Sequence, residues 1–158
     1  MVINRERIEI GNVVTEVVRS LKPSAAEKNL ELETELPYEP LTVLSDRKMI
    51  SQIIINLASN AVKYTDAGSI IVRARGHERK GIRSVEISVI DTGPGISVSQ
   101  QEKLFLPFGR LANCGNQQGT GLGLYLAQKI ARNLGGRIEL ASICGQGSEF
   151  KFTFPAGG

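Results

Sequence analysis

The sequence has little of what stabilises small or unusual folds. Its 158 residues include two cysteines, one histidine, no tryptophan, and an aromatic fraction of 5%. Two cysteines make no disulfide framework, and a chain of this length buries about 68–70% of its unfolded surface without one. The fold therefore needs no disulfide or metal ion to stabilise it, and we expect Cys114 and Cys144 to be ordinary thiols.

The sequence also lacks a large excess of one charge and long apolar segments. Nineteen Lys and Arg residues exceed sixteen Asp and Glu residues by three, which predicts no nucleic-acid surface but suits an anionic ligand. No apolar run approaches the roughly 20 residues of a membrane span, and no signal peptide is visible at the N-terminus. We expect one cytoplasmic domain without direct membrane contact, although it could be the cytoplasmic part of a membrane-bound protein.

Hydrophobic periodicity predicts a mixture of helices and strands. Helical spacings occur over 12–21 (with a break or kink at Pro23), 46–65 (capped by Ser45), 98–104 and 120–134. Alternating or apolar strand patterns occur over 30–36, 69–75, 84–90, 137–142 and 148–154, with a polar hairpin tip at 76–81. This mixture predicts the α+β class, a mostly antiparallel sheet with helices on one face.

A polar stripe follows one face of the helix over 46–65. Asn56, Asn60, Lys63 and Tyr64 are spaced so that their side chains align. The amides could offer oxygen to a metal and the ammonium group could bind a phosphate. A solvated helix surface explains the same stripe equally well.

A carboxylate and two glycines end the strand over 84–90. Asp91 could accept a hydrogen bond from an exocyclic amine such as that of adenine. Gly93 and Gly95 would let the backbone approach a flat ring or take positive φ. The alternative is an ordinary tight turn headed by an aspartate.

Glycines at 119, 121 and 123 open the helix over 120–134. Backbone N–H groups beside a helix N-terminus are free to bind phosphate, and the helix dipole favours the anion. No strand leads into these glycines, so they are not a dinucleotide-binding fingerprint. The preceding segment, 109–119, is polar and glycine-bearing, which fits either a lid over a ligand or a plain surface loop.

Taken in order, these motifs resemble the ATP-binding catalytic domain of sensor histidine kinases, in the ATPase superfamily of gyrase, heat-shock chaperones, histidine kinases and mismatch-repair proteins. Residues 52–65 are similar to the N box of that family and 91–96 to its first glycine box. Residues 105–108 are similar to its F box and 119–124 to its second glycine box. The resemblance covers essentially the whole chain, 1–158, and implies a two-layer α/β sandwich of the Bergerat type.

The resemblance implies ATP and Mg²⁺ as ligands and gives individual residues roles. Asp91 would accept the adenine amine, Asn60 would hold Mg²⁺, and Asn56 would orient the phosphates or a metal-bound water. Lys63 and Arg110 would contact phosphates and, with Asn56, form the catalytic group. The nucleotide-binding set would also include Tyr64, Gly93, Gly95, Ile96, Phe108, Gly119, Thr120, Gly121, Leu122 and Gly123. Phe105 and Phe108 would anchor the base of the lid.

The implied activity is transfer of the γ-phosphoryl group of ATP to a histidine on a partner dimerisation domain of the same kinase, with a response-regulator receiver domain as a further partner. Asn56 stands where hydrolysing branches of the family carry a glutamate, and an amide is no general base. The chain lacks the acceptor hairpin, and its one histidine, His77, is predicted to be an exposed turn residue. Two alternatives stay open, namely a non-catalytic nucleotide-binding signalling module and a protein-serine kinase of a partner-switching system.

Overall fold

The fold is built on seven strands and four helices in the residues described. The computed structural model describes residues 2–106 and 123–157. Its strands are β1 (Glu6–Glu9), β2 (Glu31–Glu35), β3 (Thr42–Ser45), β4 (Ser69–Arg79), β5 (Ile82–Asp91), β6 (Arg137–Ile143) and β7 (Gly147–Pro155). Its helices are α1 (Ile10–Glu27), α2 (Arg47–Tyr64), α3 (Val98–Gln101) and α4 (Gly123–Asn133).

Five strands form one mixed sheet in the order β2-β4-β5-β7-β6. β2 and β4 run parallel, and every other neighbouring pair in this sheet is antiparallel. β1 and β3 pair separately as a two-stranded antiparallel sheet. The α+β class predicted from the sequence is therefore confirmed, and β5 is the central strand of the larger sheet.

The sheet has one face packed on helices and one charged face. Alternate residues of β4 and β5 are buried on the helix side: Ile70, Val72, Ala74, Val85, Ile87 and Val89. On the opposite face, Arg73 pairs with Glu35, and Lys151 Nζ lies 3.6 Å from Glu86 Oε1. Period-two alternation along each strand produces this division. Among the residues described, no helix is both long and apolar enough to cross a membrane.

Of the break or kink predicted at Pro23, the break does not occur. α1 continues through Pro23 to Glu27, although proline removes one helical hydrogen bond. Val17 and Val18 are buried before the proline and Ala25 after it. The burial of side chains before and after Pro23 therefore outweighs the free-energy cost of the lost hydrogen bond.

The cap of α2 and the tip of the β4–β5 hairpin also differ from the predictions. Asp46, not Ser45, is the N-cap, because its side chain accepts the Met49 N–H at 3.0 Å, while Ser45 ends β3. The hairpin tip narrows to Lys80 and Gly81, which both have positive φ, as tight hairpin turns require. β1 and β3 were not predicted from the sequence.

Two side-chain expectations were wrong. The spacing of apolar residues over 120–134 predicts that Leu126 lies on the apolar side of that helix. Leu126 is instead 46% exposed, and the buried side of α4 contains Leu124, Ala127, Ile130 and Ala131. Cys144 is disulfide-bonded rather than an ordinary thiol.

Candidate functional site

A narrow cleft opens between α2 and the end of β5. Helix α2 contributes three of its lining residues and the loop after β5 contributes three more. The lining is Asn60, Ala61, Tyr64, Asp91, Pro94, Gly95, Ile96, Ser148 and Phe150. The structure therefore brings together five residues predicted separately from the sequence: Asn60, Tyr64, Asp91, Gly95 and Ile96.

Asp91 is the last residue of the central strand and faces the helix layer. It follows the buried Val85, Ile87 and Val89 at every second position, so the pleat points it to the same side. Burial raises the pKa of the Asp91 carboxyl, and hydrogen bonds from the backbone of Gly93 and Ser148 oppose that rise. The Gly93 N–H lies 2.9 Å from Asp91 Oδ1. The site thus holds a partly desolvated carboxylate in a fixed orientation.

The loop after Asp91 is fastened to the turn between β6 and β7. The Ile96 N–H donates to Ser142 Oγ at 2.8 Å, and the Gly145 N–H donates to the Pro94 carbonyl at 2.8 Å. Gly95 has φ of +78°, and a Cβ there would lie 2.3 Å from the Ile143 carbonyl oxygen. Glycine at 95 is therefore required by both the backbone angle and the close approach.

The two asparagines of α2 occupy different surroundings. Asn60 lines the cleft, whereas Asn56 lies one turn earlier and lines a neighbouring groove. A Cβ at Gly123, the first residue of α4, would lie only 2.4 Å from Asn56 Oδ1. Because glycine has no side chain, Gly123 lets the Asn56 amide approach the beginning of α4.

Two further predicted residues lie at the edge of this arrangement. Lys63 is exposed and does not line the cleft, but its Nζ lies 5.4 Å from the centroid of the Tyr64 ring. The Phe105 ring meets the Phe150 ring edge-on, with centroids 6.4 Å apart. Phe105 therefore packs against the core beside the cleft.

Some predicted positions lie outside the described residues, and the structure adds others. The former are Phe108, Arg110, Gly119, Thr120, Gly121 and Leu122. Ala61, Pro94, Ser148 and Phe150 line the cleft but were not predicted. The alternation of β7 puts Ser148 on the same face as the buried Phe150 and Phe152, and this pattern could have revealed Ser148.

The comparisons with known proteins define the class. Residues 45–158 match the family model described as histidine kinase-, DNA gyrase B- and HSP90-like ATPases. This match spans both sides of the cleft, from the start of α2 to the end of β7. The chain belongs to that family of ATPases.

Within the family, the chain is similar to sensor histidine kinases. It is 37% identical over 153 residues to the adaptive-response sensory kinase SasA of Crocosphaera subtropica, covering 97% of this chain and 40% of that relative. It is 34% identical over 155 residues to the sensor histidine kinase AtsR of Burkholderia thailandensis, covering 97% of this chain and 26% of that relative. The chain thus spans less than half the length of these curated relatives.

Solved structures of histidine kinases share the fold. The catalytic domain of histidine kinase ThkA, in a nucleotide-free form, matches with a TM-score of 0.81 at 28% identity, covering 98% of this chain and 97% of that one. Full-length ShkA in complex with AMPPNP matches with a TM-score of 0.86 at 30% identity, covering 100% of this chain and 32% of that one.

Proposed function

We propose that this chain is one ATP-binding catalytic domain, residues 1–158, of a protein-histidine kinase in two-component signalling. It binds Mg-ATP and transfers the γ-phosphoryl group to a histidine of a dimerisation domain outside this chain. A response-regulator receiver domain is the next acceptor. The observation that carries the proposal is the cleft in which Asp91, at the end of the central strand, faces Asn60 and Tyr64 of α2.

The cleft suits the two ends of ATP. The Asp91 carboxylate accepts hydrogen bonds from the adenine amine at the sheet end. Asn60 and Asn56, one helical turn apart, face the phosphates, with Lys63 nearby at the surface. For the predicted positions outside the described residues, we keep the roles implied by the resemblance: phosphate contact for Arg110, and nucleotide binding for Phe108, Gly119, Thr120, Gly121 and Leu122.

The donors present fit magnesium better than a metal that needs a protein cage. No group of three or more His, Cys, Asp or Glu side chains suited to a metal occurs in the described residues. Magnesium commonly takes one or two protein oxygens and completes its shell with water and substrate phosphates. Asn60 would supply the protein oxygen. Bound Mg²⁺ neutralises charge on the phosphates, and the chain fixes the position of the nucleotide.

The phosphoryl transfer needs no general base from this chain. The acceptor imidazole nitrogen attacks phosphorus, the bond from phosphorus to the β–γ bridging oxygen breaks, and ADP leaves as the imidazole proton passes to solvent. The chain positions the nucleotide and balances its charge. Asn56 supplies no general base, so water is a poor competitor. Because this chemistry consumes cellular ATP, we place the domain in the cytoplasm.

Incubation with labelled ATP and a separately produced acceptor hairpin of a related histidine kinase tests this function. We expect acid-labile, alkali-stable label on the hairpin, and its loss in Asn60→Ala. Acid-stable label on a serine of a protein antagonist would favour the serine kinase alternative. Tight ATP binding without transfer to any hairpin would favour the non-catalytic module.

A further inference from the structure

The side chain of Gln128 joins α4 to the edge of the larger sheet through two hydrogen bonds to one residue. Its Nε2 donates to the Ile138 carbonyl at 3.1 Å, and its Oε1 accepts the Ile138 N–H at 2.9 Å. Ile138 belongs to β6, which is the outermost strand of that sheet in the described residues. The carboxamide therefore takes the place that the backbone of a neighbouring strand would occupy.

The other contacts between α4 and the core give the helix little directional constraint. Its buried residues are apolar, and two of the four are small: Leu124, Ala127, Ile130 and Ala131. Apolar burial stabilises the helix on the sheet but is non-directional, whereas a hydrogen bond depends on both distance and angle. In the described part of the chain, the other side-chain hydrogen bond of α4 joins Asn133 Nδ2 to Met49 Sδ at 3.9 Å. Sulfur is a weak acceptor, so Gln128 makes the stronger directional contact of this helix.

The position of α4 matters because its first residue lies against an asparagine of α2. A Cβ at Gly123 would lie 2.4 Å from Asn56 Oδ1, so no side chain fits between the first turn of α4 and that amide. Gln128 follows Gly123 by five residues, which corresponds to about 7.5 Å along a helix that rises roughly 1.5 Å per residue. Because the helix is a rigid element, a displacement at Gln128 also moves the first turn.

We propose that Gln128 is a positioning residue for the phosphates of ATP. Its two hydrogen bonds to Ile138 fix α4 relative to the sheet, and α4 in turn sets the separation between its first turn and Asn56. Gln128 does not line the cleft, so it acts through the helix and not by touching the nucleotide. This inference rests on the proposed function, in which the phosphates lie beside Asn56 and the beginning of α4, and it adds the residue that holds one side of that site in place.

A purely structural role is the competing explanation, and a second glutamine provides the control for it. Gln101 Nε2 donates to the Ile96 carbonyl at 2.7 Å and to the Ser142 carbonyl at 3.2 Å. Gln101 thus also bonds to β6, but it belongs to α3 and lies near Ile96, at the base-binding end of the cleft. A substitution of Gln101 therefore removes hydrogen bonds from the same strand without releasing α4.

The experiment compares a ligand that has phosphates with one that has none. Affinities for Mg-ATP and for adenosine are measured by NMR titration for the wild type, Gln128→Met and Gln101→Met, since methionine keeps the length of glutamine but lacks the carboxamide. We expect Gln128→Met to lower the affinity for Mg-ATP by about tenfold and that for adenosine by less than about twofold, because misplacing a positioned group has effects of this order. Gln101→Met should leave the ratio of the two affinities unchanged. Without nucleotide, the Gly123 amide resonance should shift in Gln128→Met and not in Gln101→Met.

A wild-type ratio of the two affinities in Gln128→Met, or an unmoved Gly123 resonance, overturns the positioning role and leaves the proposed function standing. The same change of ratio in both glutamine variants also overturns it, because the effect then comes from β6 and not from α4. A wild type that does not bind Mg-ATP overturns the proposed function and this inference together. Thermal unfolding checks each variant. If Gln128→Met does not fold, Gln128→Glu replaces it, because a carboxylate keeps the acceptor for the Ile138 N–H and loses only the donor.

Discussion

Asp91 combines two opposing demands in one side chain. For the proposed role, Asp91 must be desolvated enough for the amine of a base to compete with water, yet remain ionised enough to accept a hydrogen bond. Its position at the end of β5 provides the burial, and the backbone of Gly93 and Ser148 provides hydrogen bonds that favour the charged form. The strand thus fixes both the direction and the basicity of this carboxylate.

Asp91→Asn should weaken ATP binding by about tenfold or more. The amide has half the acceptor capacity, and its NH₂ group faces the adenine amine at a buried position. The Gly93 N–H keeps an acceptor, so the fold should persist. Calorimetric titration checks the affinity and circular dichroism checks the fold. Unchanged affinity would remove Asp91 from the site, and strong GTP binding by the wild type would contradict recognition of the amine.

The same substitution should change how stability depends on pH. Burial raises the pKa of Asp91 above its unfolded value, so the folded state holds this proton more tightly. Its contribution to stability is therefore present at pH values below the ordinary carboxyl range and is lost as pH rises through the folded pKa. The amide side chain of the Asp91→Asn variant does not titrate, so the variant lacks this contribution.

Urea unfolding of both proteins across that window measures the effect. The free energy of unfolding of Asp91→Asn, relative to the wild type, should increase from acid toward neutral pH and then level off. Parallel pH profiles for the two proteins would show that burial does not govern this group.

Single residues of the site were predictable where one motif contains them. Asp91 ends an apolar run, and Asn60 follows helical spacing, so local patterns revealed both. Ser148 gave only the weaker signal of alternation along β7, because its importance arises from pairing with Asp91 across a long stretch of chain. Proximity of this kind depends on sheet order, which periodicity does not determine.

At the scale of elements, α2 links the core to the cleft. Its buried side includes Ile50, Ile53 and Leu57, while Asn60 and Tyr64 line the cleft. At its beginning, Asp46 is 4% exposed and its carboxylate also accepts the Asn4 N–H at 2.9 Å. One cap therefore fixes the helix and the N-terminal segment together.

Asp46→Ala should destabilise the protein by about 1–2 kcal/mol, since it removes the helix cap and the acceptor of two partly buried N–H groups, those of Met49 and Asn4. Asp46→Asn retains one acceptor oxygen and should cost less. Chemical denaturation of the three proteins provides the comparison. Equal stability of Asp46→Ala and the wild type would contradict the role of Asp46 as the cap.

The elements themselves were largely predictable, but their ends were not. The predicted strand over 69–75 extends to Arg79, because cross-strand pairing with β5 continues as far as Ile82. The low strand propensity of glycine favours a loop at Gly76, but Gly76 pairs with Val85 of β5 and stays in the strand. Similarly, β1 has four residues and gains its order from β3, a partner that no local pattern indicates.

On the scale of the whole molecule, the sheet separates His77 from the cleft. His77 lies within β4 rather than in the turn, and its Nε2 is 3.1 Å from Glu86 Oε2. It pairs with Ser84, seven residues along β5 from Asp91, which corresponds to about 24 Å at roughly 3.4 Å per residue. Phosphoryl transfer requires an approach of about 3–3.5 Å.

The chain alone should therefore remain unlabelled when incubated with labelled ATP, and it should release phosphate slowly. Autoradiography, with His77→Ala as the matched control, measures labelling, and a phosphate assay measures hydrolysis. Label that is lost in His77→Ala would show that the histidine reaches a nucleotide. Rapid phosphate release would show a base that Asn56 does not supply.

The fastening of the loop after Asp91 to the β6–β7 turn has a consequence during protein synthesis. Ser148 follows Asp91 by 57 residues, so a ribosome working at about 5–20 residues per second exposes Asp91 roughly 3–11 s earlier. Until then Ile96 lacks Ser142, and the cleft lacks the wall formed by Ser148 and Phe150. Nucleotide can therefore stabilise the domain only after β7 has been synthesised. Nascent fragments that already contain Asn60 and Asp91 should not bind ATP.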